Sequence, residues 1–142
     1  MAEKTIWGIH GGRIGAADSL FLKTNCIALG WPRVGNLASL PATRDAFKAR
    51  LIQYYPDKKQ GAVPVEAGQL FRFIHEMAVG DLIVYPSSVD RQIHIGQVTG
   101  PYEFHPDPQP EYPHRRPVKW LRTVPRTRFT QGALYETGSA MS

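Results

Sequence analysis

The residues best placed to do chemistry are aromatic side chains at the ends of apolar runs. Trp31 follows Gly30 and precedes Pro32 at the mouth of the run CIAL, and Tyr85 ends the run LIVY just before Pro86, Ser87 and Ser88. A ring there can stack on a planar ligand, because it is not committed to the alternating interior of a strand. Short polar side chains stand near in sequence: Asn36, Ser87, Ser88 and Asp90. An amide bonds a nucleobase edge through donor and acceptor together, and a carboxylate accepts from an amino group. The same residues also suit plain structure. SSVD is turn chemistry, Asn36 can cap the turn beginning at Gly35, Tyr85 can be half-buried, and Trp31 can pack on Pro32. The loop His10-Gly11-Gly12-Arg13 lacks side chains at Gly11 and Gly12, which lets backbone amides come close to a base or a phosphate. No GK[ST] follows, so it is not a P-loop.

Catalytic patterns are weak. Five histidines, at positions 10, 75, 94, 105 and 114, form no HxH or HExxH spacing, so no metal or cofactor is expected. Ser87 or Ser88 with Asp90 and His94 could make a triad on paper, but no GxSxG elbow accompanies them. No acidic residue stands shortly before an ExK or DxK triplet, as a nuclease centre of that type requires. The expectation is a chain that binds and does not catalyse. The single cysteine, Cys26, excludes an intrachain disulfide and a thiolate-rich zinc cluster, and is expected to be buried.

Charge is localised. Of 17 Lys and Arg residues, six lie between His114 and Arg128 with no acid among them, leaving 11 basic against 12 acidic residues elsewhere. Arg115, Arg116, Lys119, Arg126 and Arg128, with Arg13 and Arg33, are therefore the expected phosphate contacts, which position a strand without specifying its sequence. A merely solvated basic face is the alternative.

The elements that must position these groups follow from periodicity. Strands are expected at Thr5 to Ile9, Cys26 to Leu29, Leu82 to Tyr85, Gln92 to Val98, Tyr102 to Phe104 and Val118 to Val124; helices at 41–54, with Pro41 in the first turn, and at about 65–78, with Gly80 as a left-handed cap. The proline-rich stretches 56–64 and 105–114 read as surface loops, and residues after Arg128 as a short helix or docking turn. Trp7, Trp120, Phe71 and Phe73 read as core. At 142 residues this is one domain. The expected fold is α+β: a curved, mostly antiparallel sheet of about six strands closing into a small barrel, with two or three helices. With no long apolar run and no signal segment, the chain reads as cytoplasmic.

The order of strand, glycine loop, IALGW, helix, GDLIVYPSSVDRQIHIGQVTGPYEF and RRPVKWL resembles the PUA-like superfamily, and within it the EVE and YTH branch that reads modified bases. WGIHGG, FLKTNCIALGW and VKWLRTVPRTRFTQGALYETGSA are similar to the domain that precedes the nuclease in Mrr-type, modification-dependent restriction endonucleases. The resemblance implies a reader of a flipped, methylated or hydroxymethylated DNA base, with a nuclease domain in the same polypeptide beyond Ser142. It gives Trp31 the role of pocket tryptophan and offers Tyr112, in the loop after GPYEF, as a second wall, with Tyr85 as competitor. An RNA-binding module of the same kind, or a nucleotide or small-molecule sensor using the same cavity, are the alternatives.

Overall fold

The computed structural model describes residues 4–12 and 15–128. Strand β1 (Ile6–Gly8) leads into the glycine loop, followed by helix α1 (Asp18–Thr24), strand β2 (Cys26–Leu29), a 3-10 turn (Pro32–Val34), helix α2 (Arg44–Tyr54) and helix α3 (Ala62–Phe71). A π-helical turn (Arg72–Glu76) then brings the chain to strands β3 (Leu82–Pro86), β4 (Gln92–Val98), β5 (Glu103–Phe104) and β6 (His114–Pro125). The sheet runs β1-β3-β4-β6-β2, with β5 also on β6. The β1–β3 pair is parallel and the others antiparallel. The six strands curl into a half-barrel, so the α+β, barrel-like architecture is as expected. Among the described residues no helix is long and apolar enough to cross a membrane.

The curl has local causes. Register slips between Ile95 and Gly96, where β4 faces β6, and such a bulge bends and twists the ladder. Gly96 is required there because a Cβ would run into the ring of Trp120, 2.8 Å away. Strand β6 joins two pairings. Its first residues pair with β2 and β5, its later ones with β4.

Two apolar clusters result. Trp7, Phe21, Ile27, Phe73 and Ile83 fill the concave side of the sheet; Val34, Phe47, Leu51, Val63 and Leu70 lock α2 to α3. Asp81 ties β1 to the start of β3: its carboxylate accepts from the Trp7 indole N–H at 2.9 Å and from the backbone N–H groups of Thr5 and Ala78. Trp120 donates its indole N–H to the Phe21 carbonyl at 2.8 Å.

Several expectations are corrected. Helix α1 occupies what reads as glycine loop and polar run; it has only 7 residues, buries Leu20 and Phe21, and stops at Asn25 in the left-handed conformation. Helix α2 begins at Arg44 because Thr43 caps it, accepting from the Ala46 N–H at 3.1 Å, and Pro41 lies outside. The second helix starts earlier, at Ala62, and ends in the π-helical turn. His114 belongs to β6 and is fully buried, where a surface loop was expected. The expected terminal helix or docking turn lies outside the described residues.

Candidate functional site

Trp31 packs against the helical apolar cluster and is only half-buried. Its backbone is left-handed, at φ 58° and ψ 55°. A bulky residue in that region stores on the order of 1–3 kcal/mol of strain, so other contacts must hold it. Two do. The indole N–H donates to Glu66 Oε1 at 2.6 Å, and the same oxygen accepts from Lys58 Nζ at 2.8 Å. At the other end, the Trp31 carbonyl accepts from His114 Nε2 at 3.1 Å.

That histidine is the middle of a relay. The Leu37 N–H donates to the Tyr102 hydroxyl at 3.2 Å, and Tyr102 donates to His114 Nδ1 at 2.8 Å. With Nδ1 accepting and Nε2 donating, the ring is neutral. Burial lowers its pKa from 6.5 to about 4, against the opposing effect of the bond to the Trp31 carbonyl.

The held indole lines a cleft of about 190 Å³ between the glycine loop, the end of β2, helix α3 and the loop before β6. Tyr112, Gly12, Gly30, His10 and Gln69 share its lining. Tyr112 and Gly12 fit each other closely: Gly12 has φ +80°, and a Cβ there would overlap the Tyr112 hydroxyl. The Tyr112 loop is fastened by Arg115, whose guanidinium donates to the carbonyls of Asp107, Pro108, Gln109 and Tyr112. Two aromatic rings, a bare backbone, one amide and one imidazole thus surround a space suited to a single flat heterocycle.

Of the residues expected from sequence, Trp31, Tyr112 and Gly12 come together here; the others do not. Tyr85 is buried in the sheet core, edge-on to Phe21 at 5.1 Å, with its hydroxyl donating to Asp18 Oδ1 at 2.6 Å. Burial first, then that bond, raise its pKa above 10. Gly11 is buried against the Tyr85 ring. Ser87 is fully buried, donates to Asp18 Oδ1 and accepts the N–H groups of Val89 and Asp90, while Asp90 accepts from the Gln92 N–H and meets His94 Nε2 at 2.7 Å. With Ser88 facing Gly15, these residues build the β3–β4 turn, and Asn36 builds another by accepting from the Ala38 N–H. Conformation explains all four.

The phosphate contacts are corrected as well. Arg116 is 2% exposed and donates to the carbonyls of Gly100, Phe73 and Met77; Arg115 is 6% exposed and fastens the loop. Both are internal staples, and burial pulls both guanidinium pKa values below the ordinary arginine range. Lys119 and Arg126 are exposed on or beyond β6, and Arg33 is exposed beside Trp31. Arg13 and the Arg128 side chain lie outside the described residues.

Sequence reasoning missed Glu66, Gln69, His10 and His114 as parts of this site. The signal for two of them was on α3, where Val63, Ala67 and Leu70 form the buried stripe and Glu66 and Gln69, three apart, run along its edge. The others gave none.

A family model described as a domain of unknown function, DUF8426, matches residues 9–140. No curated protein and no solved structure matches the chain.

Proposed function

Since the chain belongs to the DUF8426 family, whose description carries no activity, its role has to be argued from the cleft, and we propose that it is a nucleic-acid-binding module taking one extruded, modified DNA base between Trp31 and Tyr112. In this reading the module is PUA-like, of the EVE and YTH type, and supplies specificity to a nuclease domain in the same polypeptide. One observation carries it: a strained tryptophan, fixed at its carbonyl by buried His114 and at its indole N–H by Glu66, yet still lining an open cleft. Indole fixed at both ends loses little freedom when a base stacks on it. Gln69 lines the cleft, where its amide can meet a base edge with donor and acceptor at once.

The test is a binding array of short DNA and RNA oligonucleotides, plain and carrying methylated or hydroxymethylated cytosine or methylated adenine, at two salt concentrations. The reading expects tighter binding to one modified DNA. Trp31→Ala removes that preference, worth about 1–3 kcal/mol for one stacked base, and spares the weak, salt-dependent affinity. Equal loss on modified and plain DNA contradicts it.

One observation favours a nucleotide or small-molecule sensor instead: two of the six cations in the basic segment are internal, which weakens the case for a polyanionic partner. Because Arg115 and Arg116 hold the fold, charge reversal there cannot separate the readings. Replacing Lys119, Arg122 and Arg126 together with Arg33 can, since a reader loses salt-dependent DNA affinity with them and a sensor has none to lose.

A further inference from the structure

Beside the base cleft lies a second depression. A groove of about 430 Å³ between the end of α2 and the start of α3 adjoins a smaller one of about 110 Å³; they share Tyr55, Pro56 and Lys58. The walls are of two kinds. Ile52, Val63, Pro56 and Pro64 are apolar, while Lys48, Lys58 and Arg33 supply cations, with Asp57 the one acid in the lining of either. Arg33 and Lys58 both lie over the Tyr55 ring, at 5.1 and 5.4 Å from its centre. Arg33 has no carboxylate within ion-pair distance among the described residues, and Lys48 has only Asp45, at 3.8 Å.

The groove is tied to the cleft by covalent and hydrogen-bonded links. Arg33 is two residues beyond Trp31, and Glu66 Oε1 holds the Trp31 indole N–H and Lys58 Nζ together. A nucleotide fits such walls, with sugar and base on the apolar floor and phosphate at the cationic rim. On the exposed part of β6 the cations lie farther off: Lys119 is five residues along from His114, roughly 16 Å, and Arg122 roughly 26 Å.

We infer that the Arg33–Lys48–Tyr55–Lys58 groove is the subsite for the nucleotide flanking the extruded base on the same DNA strand, so that the strand leaves the cleft across the α2–α3 connection and not along β6. This rests on the base-reading proposal. Charge complementarity is what commits the groove to this occupant: Lys58 is held by Glu66, but Arg33 has no carboxylate partner among the described residues and Lys48 meets Asp45 only at 3.8 Å, next to a site for one base.

The test measures the affinity of labelled DNA duplexes, modified and plain, over a salt series, for the intact chain and two variants: Arg33→Gln with Lys48→Gln, and Lys119→Gln with Arg122→Gln and Arg126→Gln. Thermal melts confirm that both variants fold. The inference expects the first variant to flatten the salt dependence by about one to two counterions on both duplexes while keeping the preference for modified DNA, and the second to change neither. A salt slope lowered only by the β6 variant, or by neither, overturns the groove and leaves the base cleft standing. A chain that binds no DNA at all overturns the base-reading proposal, and the groove with it.

Discussion

The two halves of β6 carry similar charge and do opposite things. At its start, His114, Arg115 and Arg116 are all buried, and every one is spoken for: His114 by Tyr102 and the Trp31 carbonyl, Arg115 by four loop carbonyls, Arg116 by the carbonyls of Gly100 in the β4–β5 connection, Phe73 in the π-helical turn and Met77 just after it. Further along, Lys119 and Arg122 are exposed, as is Arg126 just beyond the strand. The difference arises from what flanks each half. The first half lies between β2 and β5, under the loop before it, so its side chains are enclosed; the second has β4 on one side only. Positive charge in a sequence is therefore no measure of positive charge on a surface. Here the enclosed Arg115 holds the Tyr112 loop in place at the cleft.

The sharpest break of that comparison is at Arg116. Arg116→Met leaves three enclosed carbonyls without their donor and is expected to cost on the order of 3–5 kcal/mol in denaturant unfolding. Lys119→Gln, Arg122→Gln and Arg126→Gln are each expected to stay within about 0.5 kcal/mol. Similar losses in both halves would show that the distinction has no energetic content.

His114 gives a somewhat smaller effect, read through pH. Its folded pKa of about 4 lies below the 6.5 of an ordinary histidine, so the unfolded chain takes up the proton first. The stability from burying the neutral ring is whole above pH 6.5 and is lost as pH falls towards 4, by about 3 kcal/mol in all. Unfolding free energies across that window check the sign, and His114→Gln should flatten the slope. A slope unchanged by that substitution would place the proton elsewhere.

What the sequence disclosed and what it hid follow the same division. Strands β2 and β4 are legible to the residue, because CIAL and QIHIGQV are apolar or alternating runs, the first closed by Gly30, Trp31 and Pro32 and the second by Gly100 and Pro101. Trp31 is legible because Gly-Trp-Pro after a strand cannot continue it, and Tyr112 through the family resemblance. Helix α1 is hidden: at two turns it is too short for helical periodicity to register. The fates of Arg115, Arg116, Ser87 and Tyr85 are hidden for another reason. Three are settled by partners far along the chain, Arg116 by Phe73 and Met77, Ser87 and Tyr85 by Asp18, and Arg115 by the carbonyls of a loop whose shape local pattern does not disclose. His114 combines both difficulties, since its neighbouring prolines suggest a loop while Tyr102 and Trp31 make it core.

The central claim is that one base leaves its stack and enters beside Trp31. The most direct measurement is the fluorescence of 2-aminopurine placed next to the modified base in a duplex, followed as the chain is added. The account expects the signal to rise on binding, because the neighbour loses its stacking partner, and to stay flat with Trp31→Ala. A chain that binds the modified duplex selectively with no rise, or a rise that persists without the indole, would contradict it.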